Sequence, residues 1–147
     1  MSFKDNLKLE RYRLVTERQA YFTNLAKETF NSYARTFAAF VAGAVTLISL
    51  RNQLQLQPTV IIALLDAIAV LLSLAAVISI FQIFFCLKRW YGFRNAECEI
   101  NPAAPKPESW AWLFEGMYCV AIIASVFVAW WGANHFEAVL MAIPQST

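Results

Sequence analysis

Over the first third of the chain, apolar and aromatic side chains return every three or four positions. Val15, Phe22, Ala26, Phe30, Tyr33 and Phe37 fall on one helix face, with Leu14, Tyr21 and Leu25 on its flank. Arg11, Arg13, Glu17, Arg18, Lys27 and Glu28 supply much of the polar remainder. No proline or glycine stands between Asn6 and Gly43. The pattern predicts an amphipathic helix within residues 1–34, able to run unbroken into the apolar segment that follows. Such a helix can be a stalk packed on its own protein or on a sister subunit, a helix lying on the inner leaflet, or a docking surface.

Beyond residue 35 the periodic pattern gives way to continuous apolar runs. Arg35 and Arg51 bracket fifteen uncharged residues, about 22 Å of helix at a rise of about 1.5 Å per residue. A span needs about 20 residues, and snorkelling arginines with the uncharged residues 29–34 make up the shortfall. The run Thr59–Leu87 is the strongest signal, with Asp66 as its only formal charge. At about 43 Å of helix it must tilt or protrude from the bilayer. Pro58 suits its first turn, and Lys88, Arg89, Trp90 and Tyr91 close it. In Trp110–Phe136, Trp110 and Trp112 stand about 20 residues before Trp130 and Trp131, the spacing of two aromatic belts across one bilayer.

The expected architecture is an all-α integral membrane protein, with three transmembrane helices preceded by the amphipathic N-terminal helix. The spans are placed at about 35–52, 59–88 and 109–132 within a membrane domain of residues 35–137. A proline-containing loop, 89–108, is expected to run extended past Pro102, Pro105 and Pro107, and residues 138–147 form a short tail.

Composition agrees with this pattern. Only 15% of the 147 residues are charged and 59% are hydrophobic, whereas a soluble domain carries about 25% charged residues. A single soluble domain is excluded. The formal net charge of +2 gives no argument for nucleic acid. Cys86, Cys98 and Cys119 lack CxxC spacing, so neither a disulfide framework nor a zinc site is expected.

Basic residues are distributed very unevenly. The N-terminal segment and the 88–108 region hold eleven, the connection after the first span holds only Arg51, and the tail holds none. This places the N-terminus and the central loop in the cytoplasm and the C-terminus outside. A bacterial inner membrane is the expected location.

Polar groups inside the spans are the candidates for function. Asp66 shares a narrow face with Ala69, Ser73 and Ala76, and the first span offers a matching stripe of Thr36, Ala39, Gly43 and Thr46. Arg51 can reach Asp66, or Thr46 and Ser73 can hold its carboxylate; alternatively Asp66 lines a wet cavity or pore, or sits at a shallow, solvated depth. Glu115, about one turn inside the third span, is expected to pair with Lys88 or Arg89. Gln82 and Ser79 point away from Asp66, so the second span has two faces to satisfy, which implies a bundle larger than three helices. Arg89, Trp90, Tyr91, Arg94, Trp110, Trp112, Trp130 and Trp131 are read as interface anchors or lipid-headgroup contacts. His135 is the single histidine, which excludes a heme held by two histidines of one chain. No catalytic group, cofactor site or metal site is expected.

Three function classes fit these features. The first is a small membrane subunit acting by assembly, in a homo-oligomer or a larger complex, with membrane lipids and other membrane subunits as partners. The second is an oligomeric ion channel or membrane-permeabilising protein with the Asp66 face lining the pore. The third is a small membrane enzyme acting on lipid.

Overall fold

A computed structural model describes residues 3–50, 57–104, 106, 110 and 112–142, with side chains described from Asn6 to Phe136. The described residues are helical with short turns and contain no strand. Three helices follow one another: α1 (Phe3–Ser49), α2 (Pro58–Ile100) and α3 (Leu113–Ala142). Each is long and apolar enough to cross a membrane. Of the most apolar stretch of each, 28% is buried in α2 against 6% in α1 and α3, so α2 supplies most of the packed surface.

The amphipathic segment and the first apolar run form one helix, because nothing between Phe3 and Ser49 interrupts the backbone ladder. An amphipathic helix separate from the first span is therefore absent from the described fold. A second difference concerns the 89–108 loop. Helix α2 runs through Lys88 and Arg89 to Ile100. Those two cations end the apolar run but do not end the helix, since Trp90–Ile100 holds no proline. Pro102 is the first residue that cannot continue the ladder. Residues 101–104 turn rather than extend: Asn101 N–H donates to Glu97 O at 2.8 Å, Ala104 N–H to Asn101 O at 2.9 Å, and Ala103 N–H to Asn101 Oδ1 at 3.2 Å. At the other end, Pro58 occupies the first helical position of α2, and Gln57 O accepts from Val60 N–H at 3.0 Å. Helix α3 starts at Leu113, whose N–H donates to Trp110 O at 3.0 Å. Pro105 and Pro107 lie outside the described residues.

The chain divides into two compact units, one of residues 1–31 and 80–119 and one of residues 32–79 and 120–147. In the first unit, Val15 and Ala26 of α1 and Ile83 and Cys86 of α2 are buried. Val15 and Ala26 are eleven positions apart, about three full turns, and Ile83 and Cys86 three apart, so each pair lies on one face of its helix. Phe22 stacks on Phe93 at 5.8 Å and meets Phe85 edge-on at 6.4 Å, while Phe30 stacks on Tyr118 at 4.5 Å. Such ring pairs contribute about 0.5–1.5 kcal/mol each beyond burial of their area.

In the second unit, Ile61, Leu65, Ala69, Leu72 and Ala76 form the buried stripe of α2, and Ile122 is the buried residue of α3. Ala44 and Leu47 of α1 and Ala133 of α3 pack against Ile61 and Leu65. Phe40, Ala44, Leu65, Leu72, Val128 and Phe136 are among the residues around an apolar cavity of about 180 Å³.

Candidate functional site

In the first unit, the heptad-like face of α1 carries two polar members, Tyr12 and Gln19, between its apolar ones. Both reach Glu97 near the end of α2, which is 5% exposed. Gln19 Nε2 donates to Glu97 Oε2 at 2.8 Å, Tyr12 O–H to Oε1 at 3.2 Å, and Arg94 Nη1 to Oε2 at 2.5 Å. Both carboxylate oxygens are satisfied, and the ion pair with Arg94, one turn back, is itself largely covered. The Gln19 hydrogen bond holds the Glu97 carboxyl below the ordinary range; burial pushes the other way, and Arg94 and Tyr12 add to the lowering. This network was missed in the sequence, and Arg94, read there as an interface anchor or headgroup contact, pairs with Glu97. Arg89 stands over the Phe85 ring at 5.3 Å, and Trp90 meets Tyr91 edge-on at 5.2 Å.

The same unit contains an open groove of about 660 Å³ between α2 and the start of α3. Its walls include Ile83, Phe84 and Leu87, and its polar members are Lys88, Tyr91 and Glu115. Trp112 lies back over Gly116: a Cβ there would stand 3.0 Å from the indole, so the missing side chain makes room for the ring. The Glu115 carboxylate does not form the expected ion pair with Lys88 or Arg89. Its Oε2 is buried and accepts no hydrogen bond among the described residues. The two helices hold Lys88 and Glu115 on one groove without bringing their charged ends into contact. The groove has the size of a small-ligand site, mostly apolar with a few polar groups.

The second unit is tied by two hydroxyl contacts. Tyr33, 4% exposed, shares a 2.7 Å hydrogen bond with Ser125 Oγ, which itself reaches Ile122 O at 2.7 Å. Trp130 Nε1 donates to Ser73 Oγ at 3.1 Å, and that hydroxyl donates to Ala69 O at 2.8 Å. Ser73 thus serves Trp130, not Asp66. Thr46 bonds the backbone of its own helix, at Ala42 O, so neither expected hydroxyl holds the Asp66 carboxylate. Asp66 is exposed and makes no hydrogen bond or ion pair with any described residue. Arg51, the other expected partner, lies outside the described residues.

The small-residue stripe of α1 does not close on α2. Ala39, Gly43 and Thr46 are exposed, Thr36 is half-buried, and a Cβ at Gly43 would meet nothing within 4 Å. The helices approach instead through Ala44 and Leu47, one position round the helix, which pack against Ile61 and Leu65. On α2, Ala69 and Ala76 are buried, whereas Gln82 is exposed. Trp110, Trp112, Trp130 and Trp131 are all exposed, with His135 stacked on Trp131 at 5.1 Å. Among the described residues no cluster of three or more His, Cys, Asp or Glu side chains could hold a metal ion.

Neither a protein-family model, nor a curated protein, nor a solved structure matches this chain.

Proposed function

We propose that this protein is a small integral-membrane subunit that acts through assembly, with copies of itself or with other membrane proteins, and not through chemistry of its own. One observation carries the reading. Asp66 and Gln82 both stand exposed on α2, the helix that carries the most apolar stretch of the chain, without a partner among the described residues. Facing lipid, a carboxylate is expensive, and polar groups in spans normally meet protein or water. Sixteen residues apart on a helix, the two point to nearly opposite sides, so covering both calls for more helices than one chain supplies. The exposed face of Ala39, Gly43 and Thr46 would let a neighbouring helix approach closely. The basic residues argue for a cytoplasmic N-terminus in a bacterial inner membrane.

The exposure of Asp66 also favours a second reading, an oligomeric ion channel whose copies turn Asp66 into a wet passage. Assembly and cation flux, measured together on reconstituted Asp66→Asn and Asp66→Leu variants, separate the two. In the subunit reading Asn preserves the particle and Leu breaks it. A cation conductance abolished by Asn, in an intact particle, would establish the channel instead.

A further inference from the structure

We propose that the groove between α2 and α3 in the first unit binds the headgroup of a phosphatidylethanolamine-type lipid, with Glu115 taking the ammonium and Lys88 the phosphate. The inference is independent of how many copies assemble, but it rests on the chain lying in a bilayer. Three features carry it.

The first is the unsatisfied oxygen. Glu115 Oε2 is buried with no hydrogen-bond partner among the described residues, and a buried carboxylate oxygen is costly to leave so. The terminal torsion of a glutamate is soft, so the carboxylate of this groove-lining residue can turn to meet a donor. What it lacks is an N–H or O–H donor.

The second is charge placement. Lys88 and Glu115 line one groove yet form no ion pair among the described residues. A ligand with a cation and an anion a short link apart complements both; a purely anionic headgroup meets Glu115 repulsively. Ethanolamine phosphate is such a zwitterion. Its primary ammonium donates three hydrogen bonds, whereas the trimethylammonium of choline donates none and leaves Oε2 unsatisfied.

The third is the apolar wall. Ile83, Phe84 and Leu87 continue from Lys88 toward the middle of the apolar run, where acyl chains would lie. Phe84 is 66% exposed, a surface that lipid covers well and water does not. Trp112, folded over Gly116, supplies the ring expected at headgroup depth.

The test uses the full chain reconstituted in two vesicle populations, phosphatidylethanolamine with phosphatidylglycerol and phosphatidylcholine with phosphatidylglycerol. Flotation reads membrane insertion. Native mass spectrometry after gentle extraction into detergent reads the retained lipid. The wild type should float with both and retain ethanolamine lipid over choline lipid by about tenfold, the order expected of one hydrogen bond to a charged group. Glu115→Gln should reduce that preference to about twofold or less while still floating. Arg13→Gln, paired with Glu17 on the exposed side of α1 and outside this groove, should keep the full preference. Equal retention of the two lipids by the wild type overturns the proposal, as does loss of preference in Arg13→Gln equal to that in Glu115→Gln. Failure of the wild type to float with either vesicle overturns the membrane reading as well.

Discussion

Glu97 shows how one residue fixes two chain segments far apart in sequence. Its carboxylate is buried and ionised, and it accepts from partners 85 and 78 positions away, Tyr12 and Gln19, and from Arg94 close by. Removing the carboxylate leaves Arg94 covered and unpaired, so Glu97→Ala should destabilise the fold by about 3–5 kcal/mol. Tyr12→Phe, which removes one longer hydrogen bond, should cost only about 0.5–1.5 kcal/mol. Denaturation in mild detergent, followed by circular dichroism, measures both. The pH dependence has a definite sign. Because the folded carboxyl titrates below its unfolded value of about 4.3, its contribution is full above that pH. It is lost as pH falls through the lowered folded value. Wild-type stability should therefore drop on acidification below about pH 5, and Glu97→Gln should show a shallower drop from a lower starting point. An equal acid slope in the variant would show that other carboxylates dominate.

At the scale of the elements, the hydroxyl contact between α1 and α3 is the cleanest to isolate. A double-mutant cycle of Tyr33→Phe with Ser125→Ala should return a coupling of about 0.6 kcal/mol and not more than about 1.7, the range of hydrogen bonds between membrane helices. A coupling near zero would mean that Tyr33 is held by packing alone. Gly43 offers a complementary probe, since a side chain there meets nothing in its own chain. Gly43→Ala should leave the single chain unharmed, while Gly43→Leu should weaken any assembly that uses the small-residue face.

Much of this level was legible in the sequence. Apolar runs located three long helices, Pro58 marked the start of α2, and periodicity picked out Val15, Ala26 and Tyr33 as inward residues. The end of α2 was misplaced because Lys88 and Arg89 mark a change of polarity, which a helix crosses freely; a backbone without N–H, at Pro102, is what stops it. The Glu97 network was hidden for a different reason. A charged residue in a polar stretch does not announce a partner some eighty positions away, although Tyr12 and Gln19 at heptad spacing with Val15 and Phe22 were a readable hint. Similarly, small residues on two helices made Thr36, Ala39, Gly43 and Thr46 look like the mate of α2, when Ala44 and Leu47 on the adjoining face fit Ile61 and Leu65 better.

For the whole molecule, orientation and assembly are the two claims that function depends on. The orientation proposed from the uneven basic residues would put Gln53 and Ser146 outside and Ala103 inside. Single cysteines at these positions, in a background lacking the three native ones, should react with an impermeant thiol reagent in intact cells at Gln53 and Ser146 but not at Ala103. Strong reaction at Ala103 alone would invert the topology. Assembly is the central claim, because exposed Asp66 and Gln82 need protein or water rather than lipid around them. The most direct measurement is the mass of the native particle, extracted gently and weighed by native mass spectrometry or light scattering corrected for detergent. The expected result is a particle of several 16.7 kDa chains, or one with co-purifying membrane subunits, in which Asp66 is shielded from solute reagents. A stable, well-folded particle of a single 16.7 kDa chain, with Asp66 and Gln82 both facing lipid, would contradict it.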